Sequence, residues 1–188
     1  MTRFLPFLVI VCLLAACSTA PASTAETVAF TPSVTPSHGE TATAEPLRIP
    51  PGVNCQWASV RNVTDGDTIR VDFENGLLNQ PVRYIGMDAP ETVKPDTPVQ
   101  PFGPEASAEN ARLVAGKRLC LEKDISERDR YDRLLRYAWL PDGSMVNELL
   151  VQAGLATVET VPPDVKYVER FVAAQQQARE AGRGMWAP

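Results

Sequence analysis

The chain has 188 residues with 18 basic and 23 acidic side chains, which gives a formal net charge of −5 at pH 7. A protein that coats nucleic acid through its overall charge is usually basic, so this balance argues against that class of binder. It leaves open an enzyme that acts on nucleic acid, because a bound divalent cation and a few local arginines can reverse the potential at one site.

The first sixteen residues have the pattern of a secretory signal. Arg3 precedes an apolar stretch from Phe4 to Ala15, which is too short for a membrane span of ~20 residues. The stretch leads into Leu-Ala-Ala-Cys, which resembles the cleavage box of bacterial lipoproteins. We therefore predict a signal peptide over residues 1–16, lipidation of Cys17, and an exported protein held outside the cell by a lipid anchor. The alternative is an ordinary signal peptide with a coincidental cysteine.

Residues 17–50 are rich in Ser, Thr, Ala and Pro and have no apolar periodicity, so we expect a disordered tether. The only histidine, His38, lies there and is not expected to bind metal or to catalyse. Residues 51–188 suit one domain. Its two cysteines are Cys55 and Cys120, and in an exported domain we expect them to form a disulfide.

The first half of this domain alternates apolar and polar residues, which is typical of strands. Asp-Gly and Asn-Gly pairs mark tight turns between the alternating segments. The predicted strands are Gln56–Val63, Thr68–Phe73 and Pro81–Met87. A loop with three prolines follows from Thr92 to Phe102, and its length suggests a function.

The second half mixes helices and strands. A helix begins at Gly103-Pro104-Glu105, where proline and an acid suit the first turn. The remaining predicted elements are two strands, Arg118–Glu122 and Leu134–Leu140, and two helices, Met145–Ala153 and Val165–Ala181. Five strands with three helices predict an α+β fold built on a five-stranded β-barrel of the OB type.

Acids and arginines recur at the turns and strand ends. Asp67 follows an Asp-Gly turn and Asp88 ends the third predicted strand, so adjacent strands would bring both carboxylates together. Two carboxylates with a backbone carbonyl and waters suit Ca²⁺, which accepts flexible oxygen coordination. Taken alone, Asp-Gly-Asp-Thr is more typical of a hydrogen-bonded turn, and Glu91 of solvated surface. Arg83, inside a strand, needs an anionic partner if it faces inward.

A site of carboxylates and arginines without histidine favours attack on a phosphate ester. The acids would hold a hard metal ion and the guanidinium groups would clamp the anion. A glycosidase could use the acids as an acid–base pair, but the arginines would then have no evident purpose on a neutral sugar.

Several segments together resemble the staphylococcal nuclease family. They are VTDGDTIRVDF from Val63, VRYIGMDAPET from Val82, FGPEASAENARLV from Phe102, Arg128–Ala156, and GRGMW from Gly182. The DGDT and DAPET pieces carry most of the specificity, and the resemblance covers the whole domain.

The resemblance implies a metal site and a catalytic carboxylate. Asp67, Asp88 and the main-chain oxygen of Ala89 match the family's metal ligands, for which we expect Ca²⁺. Threonine is usual at the position of Ala89, but the carbonyl is the ligand there. Glu91 matches the glutamate that orients or deprotonates the attacking water.

The same resemblance implies the anion-binding groups. Arg83 and Arg133 match the arginines that hold the scissile phosphate. Arg130 and Tyr131 match positions that line the pocket for a terminal phosphate or nucleotide.

Three residues depart from the family pattern. Asp132 stands where glycine is common and adds a negative charge beside Arg133. Thr160 and Pro162 stand where tyrosines stack on the nucleotide, and stacking is worth roughly 1–3 kcal/mol per base. None of these changes removes a catalytic group.

We therefore predict a monomeric, calcium-dependent extracellular endonuclease that acts on DNA and RNA with little sequence preference. The resemblance implies products with a 3′-phosphate and a 5′-hydroxyl. The alternative is a catalytically silent module of the same fold that binds nucleic acid or protein.

Overall fold

The computed structural model describes residues 47–92 and 98–188. The predicted signal peptide, the lipidation at Cys17 and His38 all lie outside the described residues. Five strands close into a barrel in the order β1-β2-β3-β6-β5. The strands are β1 (Cys55–Asp65), β2 (Thr68–Phe73), β3 (Gln80–Tyr84), β4 (Met87–Asp88), β5 (Arg118–Glu122), β6 (Leu134–Trp139) and β7 (Thr157–Val158). The helices are α1 (Gly103–Val114), α2 (Val146–Gln152) and α3 (Val168–Glu180), with a short 3₁₀ turn at Gly184–Trp186.

Strand pairing explains how the barrel closes. β1 is long enough to pair antiparallel with both β2 and β5, and β6 pairs antiparallel with β5. The final seam joins β3 and β6 in parallel. This arrangement of a closed five-stranded barrel and three helices confirms the predicted α+β fold of the OB type.

The barrel interior is filled by the alternating apolar residues of the strands. On β2, Ile69, Val71 and Phe73 are buried while the residues between them are partly exposed. This period of two is the pattern that a half-buried strand requires. The helices close the core with Ala106 and Leu150, which are fully buried.

The third predicted strand extends too far, and the predicted position of Asp88 at the end of that strand is wrong. Strand β3 ends at Tyr84, because the chain turns at Gly86 with φ of 82°. A Cβ atom at Gly86 would also lie 2.2 Å from the Phe171 ring, so only glycine fits. Asp88 therefore lies on the separate strand β4, which pairs with β7, and neither of these short strands was predicted.

Cys55 and Cys120 form the predicted disulfide, with their Cα atoms 5.4 Å apart. It joins β1 to β5 at the end of the ladder those strands share. Folded contacts begin before Pro51, since the Arg48 amide donates to the Pro141 carbonyl at 2.8 Å. Among the described residues, no helix has the length and apolar character to cross a membrane.

Candidate active site

The β1–β2 turn brings Asp67 to one end of the barrel. Gly66 is necessary there, because a Cβ on it would lie 2.6 Å from the Ala89 Cβ and 2.9 Å from the Ala106 Cβ. The Asp67 carboxylate is almost fully buried and accepts hydrogen bonds from the Thr68 hydroxyl at 2.7 Å and the Ala89 amide at 3.3 Å. The turn is therefore a packed corner that holds one carboxylate in a defined position.

Arg83 lies on β3 directly opposite Thr68 on β2, and its side chain is 11% exposed. The strand-interior arginine has the anionic partners that its burial requires. Its Nη1 lies 2.6 Å from Asp67 Oδ2, and its Nη2 lies 2.7 Å from Asp88 Oδ1. Arg83 thus brings together the two carboxylates that the sequence predicted as neighbours.

A third carboxylate reaches the same guanidinium group. Glu159 follows β7, the partner of β4, and its Oε2 lies 3.4 Å from Arg83 Nη2. Its backbone amide donates to the Gly86 carbonyl at 3.1 Å. The β4–β7 pair therefore supplies both Asp88 and Glu159 to one arginine.

Burial and the neighbouring groups shift the pKa of the Asp67 carboxyl in opposite directions. Desolvation raises the pKa of the Asp67 carboxyl above its ordinary value, while the Arg83 guanidinium and the Thr68 hydroxyl oppose that rise. A buried carboxylate whose charge is only partly compensated by one arginine is electrostatically suited to a further cation.

Glu91 lies at the start of the proline-rich loop, beside Asp65 at the end of β1. The Asp65 carboxyl accepts hydrogen bonds from the Thr92 hydroxyl at 2.6 Å and from the Thr92 amide at 3.3 Å. Burial alone would raise the pKa of Asp65, but the hydrogen bonds from Thr92, Glu91 and the Gly66 amide together lower it. The Glu91 backbone is further tied to Gln100 by two hydrogen bonds of 3.0 Å. The predicted catalytic residue is thus half-buried on a segment whose backbone is bound to Gln100 and whose next residue, Thr92, is bound to Asp65.

Arg133 lies just before β6, and the neighbouring Asp129 fixes the orientation of its side chain. Its Nε lies 2.6 Å from Asp129 Oδ2, and its backbone amide donates to Asp129 Oδ1 at 2.9 Å. Its Nη1 donates to the Thr68 hydroxyl at 3.4 Å, and that hydroxyl donates to Asp67. Thr68 therefore connects the second predicted phosphate-binding arginine to the carboxylate that binds the first.

A cleft of about 550 Å³ opens beside the two arginines. Its wall includes Arg130 and Tyr131, the predicted nucleotide-binding residues. The guanidinium groups of Arg130 and Arg133 lie 4.7 and 5.4 Å from the centre of the Tyr131 ring, whose residue is 63% exposed. An exposed aromatic ring flanked by cations suits a base and a phosphate at adjacent places.

The metal prediction depends on a small set of oxygen ligands. Among residues 47–92 and 98–188, no group of three or more His, Cys, Asp or Glu side chains is arranged to hold a metal ion. The predicted ligands are two side chains, Asp67 and Asp88, with the backbone oxygen of Ala89. Hard oxygen ligands beside an undercompensated buried acid fit a hard cation, and the calcium site stays a prediction.

The departures from the family pattern lie around the cleft. Asp132 has a left-handed backbone with φ of 65°, a conformation that explains why glycine is common there. Its side chain is 86% exposed and lies 3.4 Å from Arg128, so its charge is directed to solvent and to another cation. Pro162 lines the cleft beside Val161, while Thr160 is exposed on the same segment. Val161 and Pro162 therefore line the cleft next to positions where the family pattern has tyrosines.

Sequence reasoning missed four residues that position these groups: Asp65, Thr68, Asp129 and Glu159. Asp129 could have been found, because an acid four residues before an arginine is a common pairing. Thr68 was noticed only as part of the turn motif, and Asp65 only as a turn residue. Glu159 gave no signal, since it reaches the site through the unpredicted β4–β7 pair.

The fold and this cluster define an OB-type barrel with an acid–arginine site at the mouth of a partly cationic cleft. A family model described as a staphylococcal nuclease homologue matches residues 81–188. The thermonuclease of Staphylococcus hyicus is 46% identical over 134 residues, covering 71% of this chain and 78% of that protein. The thermonuclease of Staphylococcus intermedius is 42% identical over 127 residues, covering 68% and 74%.

A third relative, endonuclease YncB of Bacillus subtilis (strain 168), is 43% identical over 125 residues, covering 65% of this chain and 58% of that protein. The chain belongs to the staphylococcal nuclease family. It is accordingly a hydrolase of the nuclease class, which removes the glycosidase alternative.

Proposed function

We propose that the protein is a calcium-dependent extracellular endonuclease that cleaves DNA and RNA with little sequence preference. The observation that carries this proposal is the position of Arg83, bound to Asp67 and Asp88 at the edge of the cleft that Arg133 also lines. Paired carboxylates beside paired guanidinium groups are the chemistry that a phosphodiester substrate requires. The exposed Tyr131 ring, on which any base can stack, supports weak sequence preference.

The cation would be held by Asp67, Asp88 and the backbone oxygen of Ala89. Both side chains supply carboxylate oxygens, and the burial of Asp67 favours an additional positive charge next to it. A bound divalent ion stabilises negative charge on phosphate oxygens and lowers the pKa of a nearby water.

The arginines would bind the scissile phosphate. In-line attack on phosphorus increases negative charge on the non-bridging oxygens and on the leaving oxygen. Arg83 and Arg133 can each donate two N–H bonds to such oxygens, and these bonds strengthen as the charge develops. Arg83 has to exchange carboxylate partners for phosphate oxygens as the substrate enters.

Glu91 would accept the proton of the attacking water. A bond forms between that water oxygen and phosphorus, and the bond from phosphorus to the 5′ oxygen breaks. The 5′ oxygen takes a proton from solvent water as it leaves, and Glu91 returns its proton to solvent. One product then has a 3′-phosphate and the other a 5′-hydroxyl. Asp65 is the positioning residue in this scheme, because its hydrogen bonds hold the Glu91 loop.

The test is digestion of single-stranded DNA and of RNA by the purified full chain, with Ca²⁺ or with a calcium chelator. We expect cleavage only with the ion. The 5′-hydroxyl ends should accept a phosphate from a polynucleotide kinase directly, and a phosphatase should release inorganic phosphate from the 3′ ends. Glu91→Gln should lower the rate about 10²–10³-fold, whereas Glu180→Gln, at the exposed end of α3, should not. Equal cleavage in the chelator contradicts the mechanism, and binding without cleavage supports the silent module.

We also propose that the mature protein is a monomer held to the cell envelope by lipid on Cys17. The support is the sequence pattern of residues 1–17. Labelling of the wild type but not of Cys17→Ser by a radioactive fatty acid, in a bacterial host, is the expected result. Equal labelling of both would contradict the anchor, and a dimeric mass in light scattering would contradict the monomer.

A further inference from the structure

Arg83 has no unoccupied terminal nitrogen with which to bind a phosphate. Its Nη1 contacts Asp67 at 2.6 Å and donates to the Met87 carbonyl at 3.1 Å. Its Nη2 contacts Asp88 at 2.7 Å and Glu159 at 3.4 Å. A guanidinium group has only two N–H bonds on each terminal nitrogen. A substrate that binds the terminal nitrogens of Arg83 therefore displaces one of these partners.

Glu159 is the partner most easily displaced. Its contact with Arg83 is the longest of the three carboxylate contacts, and its side chain is 49% exposed. Asp88 is 57% exposed but holds the same nitrogen more closely, at 2.7 Å. Asp67 is only 12% exposed, so displacing it would leave a buried charge unpaired. The exchange at Nη2 is thus the one with the lowest free-energy cost.

Displacement does not remove Glu159 from the site. Its amide is bound to the Gly86 carbonyl, and the preceding residue, Val158, is paired with Met87 on β4. Glu159 also lines the same cleft as Arg133. Its carboxylate therefore stays close to the incoming phosphate after the contact with Arg83 has been lost, and two negative groups then face the same guanidinium group.

We infer that Glu159 is an affinity-setting residue that competes with the substrate phosphate for Arg83 and weakens the binding of nucleic acid. This inference rests on the proposed function. Three carboxylates surround Arg83, so a divalent cation and the arginine together only balance them. Without Glu159 the site would carry one net positive charge before the phosphate enters.

The test is the binding of a fluorescein-labelled single-stranded oligothymidylate to the full chain in a chelator, measured by anisotropy. Glu159→Gln keeps the shape of the side chain and removes its charge. We expect it to lower the Kd about fivefold, the effect of one unit charge a few ångströms away in a solvated site. Glu180→Gln removes the same charge from the distant end of α3 and should change the Kd less than twofold.

Two further measurements separate competition from a structural role. In an Arg83→Ala background, Glu159→Gln should change the Kd no more than Glu180→Gln does, because the group that brings the phosphate close to Glu159 is absent. With Ca²⁺ present, Glu159→Gln should lower KM about fivefold while kcat changes less than twofold.

The outcomes distinguish this inference from the proposed function. Suppose that the wild type cleaves but Glu159→Gln binds the oligonucleotide no better than Glu180→Gln, or more weakly. The inferred competition between Glu159 and phosphate is then wrong, while the proposed nuclease function is unaffected. An undiminished effect of Glu159→Gln in the Arg83→Ala background also overturns it. A wild type that does not cleave in Ca²⁺ overturns the proposed function and this inference with it.

Discussion

Arg83 and Asp67 form a nearly buried ion pair across neighbouring strands of the barrel, with Nη1 and Oδ2 2.6 Å apart. Each residue has a predicted role of its own, in phosphate binding and in metal binding. Their contact means that a change to either residue alters both the chemistry and the stability of the site. Variants of Arg83 therefore have to be measured in both respects.

Arg83→Ala should lower the cleavage rate about 10²–10³-fold. It should also reduce the free energy of unfolding by about 3 kcal/mol, because Asp67 is left buried without its partner. Urea unfolding and initial rates on single-stranded DNA measure the two effects. Arg61→Ala removes an exposed pair with Asp72 and should cost less than about 1 kcal/mol without loss of rate. Equal losses of cleavage rate and of unfolding free energy in the Arg83 and Arg61 variants would contradict a special role for Arg83.

The Thr68 hydroxyl links Asp67 to Arg133 and should contribute to activity. Thr68→Val keeps the branched shape and removes the link, so Arg133 loses a partner at 3.4 Å. We expect the rate to fall about tenfold, consistent with the loss of about one hydrogen bond to charged groups. Thr68→Ser retains the hydroxyl and should keep most of the rate. A rate for Thr68→Val equal to that of Thr68→Ser would show that the link is unimportant.

Asp129 makes stability depend on pH in the acid range. Burial alone would raise the pKa of Asp129, but its hydrogen bonds with Arg133 and the Tyr131 amide lower it below the ordinary value of 3.8. A lowered folded-state pKa stabilises the protein above the unfolded pKa, and this stability is lost as the pH falls through the folded pKa.

Asp129→Asn should therefore be less stable than the wild type by about 1–3 kcal/mol at pH 6. The difference should shrink below about pH 4, because the unfolded wild type begins to bind a proton there that the folded carboxylate binds only at lower pH. Thermal unfolding of both chains between pH 6 and pH 3 measures this. A difference that stays constant with pH would mean that the Asp129 charge does not stabilise the Arg133 loop.

Gly66→Ala should destabilise the corner that carries Asp67. The new methyl group would overlap the side chains of Ala89 and Ala106, at 2.6 and 2.9 Å. Overpacking of this kind typically costs about 1–3 kcal/mol. Adding Ala89→Gly removes the closer of the two overlaps and should recover part of the loss. Denaturant unfolding that shows no loss for Gly66→Ala would contradict the close packing at this turn.

Asp132→Gly should stabilise the protein by about 0.5–1 kcal/mol, because the left-handed backbone at this position disfavours a Cβ atom. Its side chain is largely exposed, so few contacts are lost. Asp132→Ala keeps the Cβ atom and should bring no gain. Thermal unfolding of both variants separates two causes. Relief of the strained backbone would stabilise only Asp132→Gly, whereas loss of the negative charge would change the stability of both variants equally.

The local sequence was sufficient to predict the secondary-structure elements whose pattern of apolar and polar residues depends only on near neighbours. The bounds of β2 and β5 were predicted correctly, because alternating residues define a half-buried strand. The paired cysteines and the need of Arg83 for an acid were also foreseeable from residue type and compartment. The resemblance to a nuclease family added the roles of Glu91 and Arg133, which no local pattern contains.

Tertiary structure decided which groups meet. The Gly86 turn ended β3 early, moved Asp88 onto β4, and paired that strand with β7, so that Glu159 reached Arg83. In the α3 helix the apolar Val172 is 49% exposed, whereas Ala174 is buried. These outcomes depend on contacts between segments distant in the chain, and their free energies exceed the local preferences that a sequence displays.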